Sequence, residues 1–114
     1  MKKPSPNGRK TQDGVHVLTL VIDHDLIYLD GHFPEHPIVP GFVLLAWAEE
    51  YAREFLTLPA YSIGYDNLKF QHIVEPGNTI QLHLRFDELK DKLYFWYFND
   101  EHRYASGTVI FESP

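Results

Sequence analysis

Gly31-His32-Phe33-Pro34-Glu35-His36-Pro37-Ile38-Val39-Pro40-Gly41 is followed at once by Phe42-Val43-Leu44-Leu45-Ala46-Trp47-Ala48, an apolar run with no proline or glycine. Each proline fixes its own φ and pushes the residue before it out of the α region. The first stretch therefore reads as a stiff, extended turn and the second as a helix starting near Gly41. Such a turn holds the His32 imidazole beside the amino end of a helix. A base and an oxyanion site are two of the three groups needed to remove a proton next to a carbonyl. The third, a general acid, is not supplied by the turn itself.

From Gly41 to about Leu58 the apolar period is helical. Leu44, Ala48, Tyr51 and Phe55 fall at i, i+4, i+7 and i+11, and Leu45, Trp47 and Ala52 widen the stripe. Pro59 prevents continuation. A helix this apolar must be wrapped, most simply by a curved sheet. Upstream, Val15 to Ile22 reads as a strand and Leu26 to Leu29 as a short extended lead into the turn. Residues 1–13 show no apolar periodicity and read as a flexible tail, which leaves 14–114 as one domain.

Downstream of Pro59 the pattern is that of strands. Ser62 to Val74 comes first and ends in the turn Glu75-Pro76-Gly77-Asn78. In Thr79 to Phe86, Ile80, Leu82, Leu84 and Phe86 alternate with Gln81, His83 and Arg85, so one face is apolar. Leu93 to Phe98 is apolar on both faces, and its aromatic run Tyr94 to Phe98 reads as core and dimer packing rather than as a tunnel wall. His102 to Glu112 closes the chain. A strand, one long helix and four more strands indicate an α+β fold, an antiparallel sheet wrapped round a single helix.

The chain has 114 residues, a formal net charge of −6 and no cysteine. One domain is expected from the length. The acidic balance, with no basic stripe, argues against nucleic acid. An acidic protein partner would need a local basic patch, for which Arg53, Lys69, Arg85, Lys90, Lys92 and Arg103 are the mid-chain candidates. The lack of cysteine removes disulfides, thiolate metal sites and a cysteine nucleophile, and fits a reducing compartment. No apolar stretch is long enough to span a membrane and the amino end lacks the apolar core of a signal peptide, so a cytoplasmic protein without membrane insertion is expected. No histidine pair has metal-ligand spacing with a carboxylate, so no metal site is expected. Asp23-His24-Asp25 reads as a turn, and Ser62, Ser106 and Ser113 lack the surroundings of a hydrolase nucleophile.

Residues 31–41 match at every fixed position the signature Gly-His-Phe-Pro-x-x-Pro-x-x-Pro-Gly, and Leu68 to Ile80 looks like the strand–turn–strand that accompanies it. On these residues the chain resembles the hot-dog-fold dehydratases that act on 3-hydroxyacyl-acyl-carrier-protein, and Trp47 is similar to the branch found in aryl-polyene biosynthesis clusters. The resemblance implies a hot-dog fold and a homodimer, or a higher oligomer, with shared active sites. It implies removal of water from a 3-hydroxyacyl thioester, on carrier protein or CoA, to give the trans-2-enoyl thioester in fatty-acid or aryl-polyene synthesis, without a cofactor.

Carried over by position, His32 is the base and the Gly41 amide binds the thioester oxygen, with Phe33, Pro40, Phe42 and Ala46 around the substrate. The family's acid lies fourteen residues beyond the histidine, where this chain has Ala46. Glu50, one turn further along the same helix face, is the substitute acid. Glu49 reads as a partner for Arg53, and His36 as facing solvent or the substrate mouth. Two other expectations stand beside dehydration: a hot-dog thioesterase, and a non-catalytic subunit that pairs with an active homologue.

Overall fold

The computed structural model describes residues 3–24 and 38–112. Six strands and one long helix follow in the order β1 (Gly8–Gln12), β2 (Val15–Val21), α1 (Gly41–Phe55), β3 (Ser62–Phe70), β4 (Thr79–Asp87), β5 (Lys92–Phe98) and β6 (Arg103–Phe111). They build one sheet in the order β1-β2-β4-β5-β6-β3. Every pairing is antiparallel. The helix lies against one face, which is the hot-dog fold. The extended lead expected over Leu26 to Leu29 lies outside the described residues.

The period-two patterns explain how the sheet holds the helix. In β4, Ile80, Leu82 and Leu84 are buried, and the register sets Leu82 opposite Tyr97 and Leu84 opposite Phe95. On β2, Leu18 and Leu20 face the same way. In β5 the apolar residues split as pleating requires. Leu93, Phe95 and Tyr97 enter the core, while Tyr94, Trp96 and Phe98 stay half-buried on the outer face. The aromatic run is thus core packing for its odd members alone. From the helix come Val43, Leu44, Trp47, Ala48, Tyr51 and Ala52. Each large apolar side chain so enclosed contributes roughly 1.5–3 kcal/mol.

Two buried tyrosines tie the helix to its surroundings. The Tyr97 hydroxyl donates to the Leu44 carbonyl at 2.6 Å. Burial, with smaller contributions from Tyr51 and Glu50, raises the Tyr97 pKa well above the ordinary phenol range, so the hydroxyl stays a donor at all ordinary pH. The Tyr51 hydroxyl donates to the Pro4 carbonyl.

That second contact corrects the reading of residues 1–13 as a flexible tail. Residues 8–12 are β1, paired with β2 from Gly8↔Thr19 to Gln12↔Val15. Asp13 and Gly14 both have positive φ, 52° and 77°, as a two-residue primed hairpin turn demands. Further back, Lys3 pairs with Glu54, and the Arg9 guanidinium lies 4.2 Å from the centroid of the Phe55 ring. Every residue of β1 is exposed, so the strand is held by backbone pairing and carries no apolar pattern.

Two boundaries also move. The helix ends at Phe55, not Leu58. Leu56 is already extended, and the Arg53 guanidinium bonds the Pro59 and Ala60 carbonyls at 3.1 and 3.3 Å, turning the chain away. The strand expected over 62–74 stops at Phe70, and Val74 makes only a bridge to Val39.

Tyr97→Phe leaves the core volume unchanged and removes one buried donor. Urea denaturation is expected to show a loss of about 1 kcal/mol with an unchanged m-value. An unaltered midpoint would show that the hydroxyl does not anchor the helix.

Candidate functional site

Pro40 is the residue at the cap of α1, and its φ of −60° and ψ of 149° are those the proline pattern requires. No side chain caps the helix, and its first turn contains no acidic residue. The Pro40 carbonyl accepts the amides of Val43 and Leu44 at 3.0 and 3.3 Å. The Gly41 and Phe42 amides therefore have no acceptor among the described residues. Free N–H groups and the helix dipole together favour negative charge at this point.

Gly41 lines a groove of about 220 Å³ at this end of the helix. Pro40, Gly41 and Leu44 form one wall, and Phe70, Gln71 and His72 face them. The Val39 amide bonds the Val74 carbonyl at 2.9 Å and ties the two walls together. The Phe70 ring lies so close that a Cβ added to Gly41 would sit 2.7 Å from its Cδ1 and 3.1 Å from its Cγ. Glycine is needed at 41 because an aromatic ring covers the helix end.

His32 and Phe33 lie outside the described residues, as do His36, Asp25 and Ser113. Phe42, Ala46 and Glu50 recur every four residues and are all exposed, forming one stripe on the side of α1 away from the core. Phe42 is 73% exposed. Neither Ala46 nor Glu50 lines the groove of its own chain. Glu49 pairs with Arg53, whose Nε and Nη2 reach its carboxylate at 3.3 and 3.2 Å. Ser62 and Ser106 sit in strands. Among the described residues no group of three or more His, Asp or Glu side chains is arranged to hold a metal ion, and no helix is long and apolar enough to cross a membrane.

His72 and His102 form a pair that carries no local signal in the sequence. Their rings stack with centroids 3.7 Å apart and planes 11° from parallel, and the edge of Tyr104 meets both. Thirty positions separate them, and only the pairing of β3 with β6 brings them together. The Gln71 amide bonds the Tyr104 carbonyl at 2.8 Å and fixes this approach. His102 Nε2 lies 4.0 Å from a Glu101 oxygen. The Tyr104 pKa is raised, chiefly by burial, with Glu101 and Glu75 adding to the shift and the Asn99 hydrogen bond opposing it.

A larger depression of about 490 Å³ lies on the outer face of the sheet, lined by Lys69, Trp96, Phe98 and Arg103 among others. It is bigger than the groove at the helix end but has no free helix amides. Chemistry rather than volume selects the smaller one. Nearby, His83 packs against Trp96 and Phe98 with its pKa lowered, first by burial and then by Lys10.

The model of the ApeI-like family, ApeI dehydratase, matches residues 8–108. The dehydratase heterocomplex ApeI:P from Xenorhabdus doucetiae superposes with a TM-score of 0.84 at 32% identity, over 96% of this chain and 97% of that one. A protein from Erwinia carotovora subsp. atroseptica superposes with a TM-score of 0.81 at 29% identity, over 97% of each chain. The 3-hydroxyacyl-[acyl-carrier-protein] dehydratase FabZ of Roseiflexus castenholzii is 39% identical over 70 residues, which is 55% of this chain and 49% of that protein. The chain spans about half the length of the curated relatives it matches. It belongs to the ApeI-like dehydratase family.

Gly41→Ala is expected to cost about 1–3 kcal/mol by forcing the Phe70 ring aside, despite alanine's better helix propensity. Adding Phe70→Leu should recover most of that loss, which a double-mutant cycle by chemical denaturation would measure. Additive losses would mean that the ring does not dictate glycine here.

Proposed function

We propose, with that family membership as the premise, that this chain removes water from a 3-hydroxyacyl thioester to give the trans-2-enoyl thioester. The observation that carries the reading is the uncapped amino end of α1. It leaves the Gly41 and Phe42 amides without an acceptor among the described residues, with Gly41 lining a groove next in sequence to the turn that carries His32. In this reading His32 takes the proton from C2. The Gly41 amide holds the developing charge on the thioester oxygen, a role that preorganised donors perform at no reorganisation cost. Phe33, Pro40, Phe42 and Ala46 surround the acyl chain. No organic cofactor or metal enters the reaction. The thioester is carried by acyl carrier protein, as for the FabZ relatives, which are 3-hydroxyacyl-[acyl-carrier-protein] dehydratases, or by CoA. A reducing, cytoplasmic setting accords with a chain that has no cysteine.

The assembly in this reading is a dimer joined through β3. This edge strand exposes Ile63, Tyr65, Leu68 and Phe70, with Tyr61 and Ile73 beside it. An exposed apolar edge is a template for pairing with another strand. A second copy there would extend the sheet and bring another helix stripe of Phe42, Ala46 and Glu50 near the groove. Glu50 is the acid this arrangement offers. A second reading, favoured by alanine at position 46, has a different chain supply the carboxylate. The Xenorhabdus relative ApeI:P is a dehydratase heterocomplex, which accords with that second reading. Hydrolysis is the weaker alternative, because no carboxylate among the described residues lines the groove to activate water.

Dehydration of a 3-hydroxyacyl carrier-protein thioester, followed by the absorbance of the enoyl product, tests the reading. His32→Ala is expected to lower the rate by about 10²- to 10⁴-fold. A rate equal to wild type in that variant would falsify the assignment of the base. Ile63→Lys on β3 is expected to shift the protein to monomer in sedimentation, whereas a dimer that survives it does not use this edge.

A further inference from the structure

A second cavity of about 440 Å³, with a mostly polar lining, has one lining residue in common with the groove at the helix end. Glu75, Asn99, Glu101 and Tyr104 are among its lining residues. His72 lines both cavities. Of the described residues that line the groove beside Gly41, His72 is the one with a titratable side chain. Its neighbour Gln71 ends in a neutral amide that cannot act as an acid.

We propose that the His72 imidazole is the general acid that protonates the leaving hydroxyl, in the place left empty by Ala46. The proposal rests on the dehydratase reading and moves to a residue of the groove the acid role which that reading gives to Glu50. The stack on His102 holds the ring at the boundary between the two cavities, with its plane fixed by the Tyr104 edge. Glu75 and Glu101, on the polar side, place negative charge beside the pair. Water in the polar cavity returns the proton after each turnover.

The step balances within the substrate. His32 takes the C2 proton, and that electron pair becomes the double bond between C2 and C3. The bond from C3 to oxygen breaks, and the oxygen leaves as water with the proton from His72. Solvent then takes the proton from His32 and restores the one on His72.

A pair of substrates separates acid catalysis from a structural role. One is a β-hydroxyacyl thioester of N-acetylcysteamine, which loses water. The other is its β-chloroacyl analogue, which loses chloride and needs no proton. In His72→Gln, loss of water is expected to fall by about 10²- to 10⁴-fold, while loss of chloride stays within roughly threefold of wild type. The basic limb of the pH–rate profile for water loss should disappear in the same variant. Equal loss of both activities would overturn the proposal in favour of a positional role. An unchanged rate of water loss would overturn it outright, and a fall in Glu50→Gln alone would assign the acid to Glu50 instead. If the wild-type protein eliminates neither group and His32→Ala behaves alike, the dehydratase reading itself fails and the proposal falls with it.

Discussion

Where α1 sits along the sheet decides everything else in the molecule. A buried hydrogen bond from Tyr97 on β5 to the Leu44 carbonyl fixes that position, and the packing of Trp47 and Tyr51 holds it. Leu44 is one turn from the amino end of the helix. Once its carbonyl is pinned, the Gly41 amide must emerge beside the end of β3. Apolar packing alone would let the helix slide at little cost, because Leu, Trp and Tyr side chains accept many neighbours. A buried hydroxyl accepts far fewer, since an unpaired donor in the core is costly. The polar contact thus gives the apolar core its register.

The two edges of the sheet have opposite character. β1 closes one side with five exposed residues and no apolar face. It is tied in by its tight turn and by the contacts of Lys3 and Pro4 with the helix. β3 closes the other with exposed large apolar side chains, interrupted by register shifts between Ser62 and Gly64 and between Asp66 and Lys69, where Asn67 takes a positive φ of 52°. Short polar edges resist further pairing and apolar ones invite it. The same β3 supplies Phe70 to cover Gly41 and leads directly into Gln71 and His72. The edge that is open to another subunit is therefore also a wall of the groove.

Much of this architecture could be read along the chain. The helix start at Gly41, the alternation of β4 and the positions of the four strands after the helix are local patterns, and the structure reproduces them within a few residues. The surface pair of Glu49 and Arg53 was readable from its spacing on the helix. β1 escaped because hydrophobicity was the signal sought, and a solvated edge strand has none. Asp13-Gly14 was the available clue, a dipeptide suited to the positive φ values of a two-residue hairpin. The helix was read three residues too long because Pro59 marks where a helix cannot continue, not where it stops. The aromatic run of β5 could not be divided between core and surface until a partner strand fixed which face was which.

The sequence by itself determined the class of fold, because a helical apolar stripe and alternating strands are local consequences of side-chain period, and the family was legible in the resemblance of residues 31–41 to its signature. The same resemblance sets Ala46, which cannot donate a proton, at the position where the family's helix acid is expected. Only the tertiary structure decided what stands opposite the helix end. Phe70, Gln71 and His72 reach that end through pairing of β3 with β6, and the stack of His72 on His102 joins residues thirty positions apart. No local preference encodes such a meeting. It depends on strand register, which is settled when the whole core packs.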